Sequence, residues 1–223
     1  MSSCIPRKYL QSVNVYGLDE CGRVQVGAGA LFGLSLRTIV LAEAIEEGEE
    51  ETVTDVYGNV CVQDKACPID RGTDFTMTDC VENWSLNALL GFGTLHTTLG
   101  VVDGFDRNSV NCDAAVAVEL VWKPGGACAA GVDPKCLVQL FPYVRNWTPT
   151  GEQTVDAKNT VSRTFKGRTY KNGRLFQDVV PAQLSHWTPF AAEIAAGNTF
   201  SYTRTMDCPV QAAPSCELVP LTA

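Results

Sequence analysis

Residues 114–122 read AAVAVELVW, with Val116, Val118, Leu120 and Trp122 alternating against alanine, glutamate and valine. A period of two is the mark of a strand, because successive side chains of an extended chain point to opposite faces. The stretch 123–135 opens with Lys-Pro-Gly-Gly and is turn-rich, and residues 136–144, CLVQLFPYV, return as a partner strand. Together they read as a hairpin with a glycine-rich tip.

Outward from this hairpin the extended pattern recurs. Residues 73–79 (TDFTMTD) set Phe75 and Met77 against polar neighbours, as a half-buried strand does. Residues 37–44 (RTIVLAEA) are β-branched and lead into the acidic run Glu46, Glu47, Gly48, Glu49, Glu50, Glu51. With residues 52–57 that run reads as a hairpin with a charged, solvated tip. Val24 and Val26 suggest a short strand before a Gly-Ala-Gly turn, and 148–152 (TPTGE) reads as a turn. Residues 160–170 are extended, and 199–204 form a late strand. Helical signals are few. Asp79 and Glu82 have capping-box spacing, Leu86, Leu89 and Leu90 make one apolar face, and Gly91 is placed as a stop. A second short helix is expected over 189–196 (PFAAEIAA), ending at Gly197. Strand-length runs separated by turns predict a mainly β fold, a β-sandwich or barrel flanked by one or two short helices.

The chain has 223 residues, a net charge of −8 and 45% hydrophobic residues, the balance of an ordinary globular protein. An acidic chain is not built to grip nucleic acid, which requires clustered lysine and arginine. The apolar runs, such as 114–118, are far too short to cross a bilayer. Residues 1–8 carry basic residues with no apolar run behind them, so a cytoplasmic site of synthesis is expected. The whole reads as one domain, with residues 1–23 as an N-terminal arm, 24–205 as a β core with inserted loops, and 206–223 as a Pro- and Cys-rich C-terminal arm.

Ten cysteines stand at 4, 21, 61, 67, 80, 112, 128, 136, 208 and 216. None forms a C-x-x-C pair, and the two histidines are His96 and His186, so a zinc site is not indicated. Proximity singles out Cys61 with Cys67, Cys128 with Cys136, and Cys208 with Cys216. The turn-like flanks of the last two pairs favour disulfide-stapled loops; the alternative is buried free thiols.

Each constellation that carries chemistry has a blander counterpart. No Gly-x-Ser-x-Gly, Walker loop or dinucleotide fingerprint occurs, and Gly91-Phe-Gly93 lacks a preceding strand and a third glycine. The acids of DGFDRNSVNCD (103–113) lack the alternate spacing and terminal glutamate of a calcium loop, so this segment reads as a turn-rich connection. His96 and His186 read as surface or structural histidines. No catalytic, cofactor-binding or metal-binding residue is assigned, and a non-enzymatic, structural protein is expected.

The order of segments through the middle of the chain resembles a known family. A strand at 74–78 enters the helix WSLNALLG (84–91), followed by a variable region, the strand VELVW (118–122), the return LFPYV (140–144), and an extended segment ending in FKGRT (165–169). This order is similar to the major tail proteins of long-tailed bacteriophages of the siphophage type. The resemblance implies six copies per ring, rings stacked into a hollow tail tube, and passage of double-stranded DNA through the lumen without specific binding. It implies a virion location after assembly in the host cytoplasm, with a tape measure protein and tail terminator or tip proteins as partners and no membrane. It makes Glu46, Glu47, Glu49, Glu50 and Glu51 candidates for an inter-ring loop, and the Cys-rich tail a candidate locking arm. Alternatives are a capsid decoration or head–tail joining protein and, from another class, a secreted disulfide-stabilised binding domain.

Overall fold

A computed structural model describes residues 7–24, 26–54, 60–79, 82–99, 101–107, 111, 113–125, 135–150, 163–209 and 218–222. In chain order its elements are β1 (Arg7–Gly17), β2 (Gly29–Leu31), β3 (Leu36–Glu46), β4 (Glu50–Thr54), β5 (Val60–Lys65), β6 (Ile69–Asp79) and α1 (Trp84–Leu89). Then come β7 (Gly93–Thr98), β8 (Val101–Arg107), β9 (Val116–Gly125), β10 (Cys136–Thr150) and β11 (Thr164–Thr169). A 3-10 helix (Ala182–Phe190), α2 (Ala191–Gly197), β12 (Tyr202–Met206) and β13 (Val219–Pro220) complete it. The class is mainly β, as the alternation predicts.

Nine strands form one antiparallel sheet in the order β13-β2-β1-β9-β10-β11-β6-β3, with β12 also paired to β10. The β9–β10 pair lies at its centre: Trp122 faces Leu137 and Val118 faces Phe141. At 15 residues, β10 is long enough to hold β9 on one side and two strands in succession on the other. β12 runs along Cys136–Leu140, and β11 runs along Val144–Thr150. Thr148 and Thr150 therefore continue the strand, and the turn expected there does not begin before the end of β10.

The central strands bury both faces. Val116, Val118 and Leu120 of β9 join one cluster with Val13, Val15, Phe75, Met77, Phe141 and Phe165, roofed by Leu86 and Leu90 of α1. Ala117 and Val121 point the other way, to a cluster with Tyr16, Leu184, Trp187, Ile194 and Tyr202. The 3-10 helix and α2 cover that second face, close to where the apolar run 189–196 predicts a helix.

The described parts of both expected arms join the sheet. β1 lies between β2 and β9, with Val13, Val15 and Tyr16 at most 2% exposed. At the other end β13 pairs with β2, Leu221 is buried, and its backbone bonds to Gly27 and Ala28. Short apolar ends gain the same burial free energy as any strand when the sheet offers a free edge. Part of the segment expected as a turn-rich connection is strand: Val101–Arg107 pairs antiparallel with Gly93–Thr98, which carries His96. The short strand expected at Val24 reduces to a single bridge between Leu18 and Val24.

Between β3 and β6 the chain makes a two-stranded ribbon. The ladder ends at Glu46 opposite Ile69 and resumes at Glu50 opposite Lys65 in β4 and β5. The gap keeps register: Ala66 N–H donates to the Glu49 carbonyl at 3.0 Å. Pro68 sits in the gap and has no N–H to give, which explains why pairing lapses there. Gly48 lies in the same gap, where a Cβ would come 1.8 Å from the Ala66 carbonyl oxygen. The acidic run therefore lies at the start of the β4–β5 ladder, at the waist of the ribbon and not at its tip; residues 55–59 lie outside the described residues.

Candidate functional site

Two features stand out once the fold is laid out: a buried charged cluster in the closed half of the sheet and an open edge with a cleft in the other half.

The cluster is centred on Glu119, which is fully buried on β9 directly across from Asn14 on β1. Its Oε2 accepts from Asn14 Nδ2 at 2.8 Å and from the Tyr16 hydroxyl at 2.9 Å. Its Oε1 accepts from Trp187 Nε1 at 2.7 Å and lies 2.6 Å from His186 Nε2. Ser12 and the Gly33 N–H in turn donate to Asn14 Oδ1, which orients the amide. Burial alone pushes the Glu119 carboxyl up, but the bond and charge of His186, with Trp187 and Asn14, outweigh it and hold it below the ordinary value. Tyr16 moves the opposite way: burial and then the repulsion of the Glu119 charge push its phenol well above the usual range. The arrangement ties β1, β9 and the 3-10 helix at one point, and a buried charge with every lone pair used is a specific clamp.

His186 borders a cleft of about 570 Å³ with Ser185, Asp207 and Cys208. A Cys–His pair needs a thiolate, and here the Cys208 sulfur is bonded to Cys136. His96 is exposed on β7 with Nε2 at 2.6 Å from Asp106.

Among the described residues the other half of the sheet is open. β3 is a terminal strand of 11 residues, with Val40 and Ile45 55% and 56% exposed. The opposite edge is β13, two residues long and ending in Pro220. Beside β3 the outward sheet face holds a cleft of about 520 Å³ lined by Ala42, Asp74, Thr76, Asn146, Lys166, Arg168 and Tyr170, among others. A bulge in β10 builds one wall. Asn146 takes a positive φ of 58° there, so Trp147 turns into the core while Asn146 stays out and bonds the Tyr170 hydroxyl at 2.5 Å. Arg168 pairs with Asp74 through two bonds of 2.6 and 3.1 Å.

Several expected site residues are placed differently. The cysteine pairing is corrected: Cys136 bonds Cys208, not Cys128, and Cys208 is thereby not bonded to Cys216. β12 runs along the start of β10 and sets their Cα atoms 4.8 Å apart across 72 residues, a proximity that linear spacing cannot reveal. Cys128 and Cys216 lie outside the described residues. Cys67 is free and exposed, as is Cys21, so Cys61 and Cys67 form no staple. The cap is also corrected. Asp79 is the last residue of β6, and its N–H donates to the Arg163 carbonyl. Asn83 caps α1 by accepting from Leu86 N–H at 2.9 Å, while Glu82 pairs with Arg163 at 2.5 Å. Gly91 ends the helix at a φ of 81°, as placed. Of the acidic run, Glu46 bonds Arg71 at 2.6 Å, while Glu50 and Glu51 start β4.

The sequence reading missed Glu119 and its partners. A lone glutamate in an apolar alternating strand, opposite the polar alternates Ser12 and Asn14, was the available signal. No protein-family model and no curated protein matches the sequence.

Proposed function

We propose that the chain is a structural virion protein, the major tail protein of a long-tailed phage, whose copies join into hexameric rings stacked as a tail tube. The observation that carries this reading is the inequality of the sheet edges. An 11-residue edge with exposed Val40 and Ile45 is a template for another strand, whereas the two-residue, proline-ended β13 is blunted. An edge of this kind favours head-to-tail contacts, which close into rings or extend as filaments. The ribbon of β3 to β6 supports the same reading, since it carries chain beyond the sheet where a neighbouring subunit would lie. The net charge of −8 suits a channel that DNA phosphates slide through without sticking.

A second reading, a secreted disulfide-stabilised binding domain, draws on the Cys136–Cys208 bond, since such bonds persist in oxidising surroundings. Negative-stain electron microscopy of the purified chain at high concentration separates the two. Tubes with a regular axial repeat and a central hole are expected; monomers at every concentration overturn the tube reading and favour the second.

A further inference from the structure

The turn that joins β7 to β8 carries a residue that such turns disfavour. Thr98 pairs with Val101, so two residues make the connection, and the first of them is Leu99. Leu99 has a φ of 54° and is 100% exposed. The left-handed region suits glycine or asparagine at a hairpin turn, whereas the Cβ of leucine crowds the following carbonyl. Being wholly exposed, the side chain finds no packing among the described residues to offset that strain. Val101 beside it is 59% exposed. Backbone strain and full exposure at one apolar position point to burial against a partner.

The ribbon that carries this tip is stiff. Phe105 packs at its base on the cluster under α1, and Gly93 leaves room for it, since a Cβ there would come 2.6 Å from the Phe105 ring. His96 Nε2 lies 2.6 Å from Asp106 across the strands, and Thr98 Oγ1 donates to Asp103 just behind the tip. A tip held on a rigid ribbon loses little freedom when it docks. Asp103 is exposed, so an acid flanks the apolar tip.

A surface of matching character lies on the other side of the sheet. Phe75, Met77 and Phe165 face α1, so Asp74, Thr76 and Lys166, which alternate with them, face away. There Val40, Thr76 and Lys166 form one row across β3, β6 and β11. Ala42, Thr76 and Lys166 belong to the wall of the cleft of about 520 Å³, and the exposed Val40 stands next to them. Apolar side chains thus stand at one end of the row. The Lys166 ammonium stands at the other, two strand steps or about 10 Å away, and pairs with no acid among the described residues. The hairpin is rooted on the α1 side, so the sheet stands between it and the cleft of its own copy.

We propose that the Leu99 tip of one copy docks against Val40 and Ala42 of a second copy, with Asp103 meeting Lys166. The inference rests on the self-assembling reading above and names a contact by which copies recognise each other. The two surfaces lie on opposite faces, so the contact is head-to-tail. Apolar burial supplies the attraction, and the charge pair fixes the orientation.

Leu99→Asn in the full chain separates docking from folding, because asparagine accepts a left-handed turn better than leucine does. The variant is expected to melt at or above the wild-type temperature, yet to need about tenfold or more protein to assemble by sedimentation velocity. A variant that assembles as wild type does overturns the proposal and leaves the assembly reading standing. One that melts well below wild type overturns the strain argument and the proposal with it. Asp103→Lys and Lys166→Glu locate the receiving surface. Each alone is expected to weaken assembly, and mixing them to restore it, because reversed tip then meets reversed cleft and native tip meets native cleft. Failure to recover on mixing also overturns the contact. If wild-type chain does not assemble at any concentration, the assembly reading itself fails and the contact falls with it.

Discussion

The two buried carboxylates among the described residues have opposite fates, and the halves of the sheet in which they sit differ in the same way. Glu119 lies where both faces are covered, and four donors converge on it. Asp79 lies at the end of β6 beside the open edge strand, 2% exposed, with Oδ2 lacking any hydrogen-bond partner. Burial, opposed by Arg163 and aided by Glu82, pushes the Asp79 carboxyl up to about 7. Equal burial thus yields a clamp where donors exist and a strained acid where they do not. Among the described residues the closed half has both faces covered, while the open half leaves an edge strand, an exposed apolar pair and an unsatisfied oxygen.

The largest break in this contrast is expected from Glu119→Ala. It strands four donors in the core, and should cost about 3–5 kcal/mol in urea unfolding at neutral pH. The folded Glu119 has a lowered pKa, so its contribution is complete above the ordinary carboxylate range. It is lost as pH falls through the lower folded value, and the gap between wild type and variant should close only in acid. Next in size is the bond between Cys136 and Cys208, which closes a loop spanning 72 residues. Replacing Cys136 and Cys208 together by Ser should cost about 2–4 kcal/mol, read as a lower unfolding midpoint that reducing agent no longer changes.

Asp79→Asn should act with the opposite sign. A carboxyl raised to about 7 disfavours the folded state increasingly as pH climbs from the unfolded value toward 7, and the penalty is then constant. The variant is expected to be about 2 kcal/mol more stable than wild type at pH 8 and to lose that advantage near pH 4, by thermal melting in both buffers. The smallest effect on the folded monomer is expected from Val40→Lys on the open edge, within about 0.5 kcal/mol, because the side chain is already half in water. The same change should nevertheless suppress association, since a charged edge strand resists pairing.

Much of the sheet was legible because its strands alternate cleanly, as in 114–122 and 73–79. What escaped shares one cause, that the decisive partner lies far along the chain. β1 hides its outward face behind Ser12 and Asn14, which look like surface residues until Glu119 is placed opposite them. The disulfide follows from β12 running beside β10, so nearest-neighbour cysteines were the wrong guide. The capping box at Asp79 and Glu82 matched a local pattern, but pairing of Asp79 in the sheet came first and Asn83 took over the cap. Glu46, Glu47 and Glu49 are exposed as expected, but the acidic run has another place, because Pro68 and Gly48 make a waist where the composition suggested a tip.

The proposed assembly makes β3 an edge that a second copy completes. Hydrogen–deuterium exchange at low and high protein concentration reads this directly. The segment 36–46 should gain protection on assembly, while the segment carrying Val219 and Pro220 stays as it was. Assemblies in which 36–46 exchanges as fast as in the monomer would contradict it.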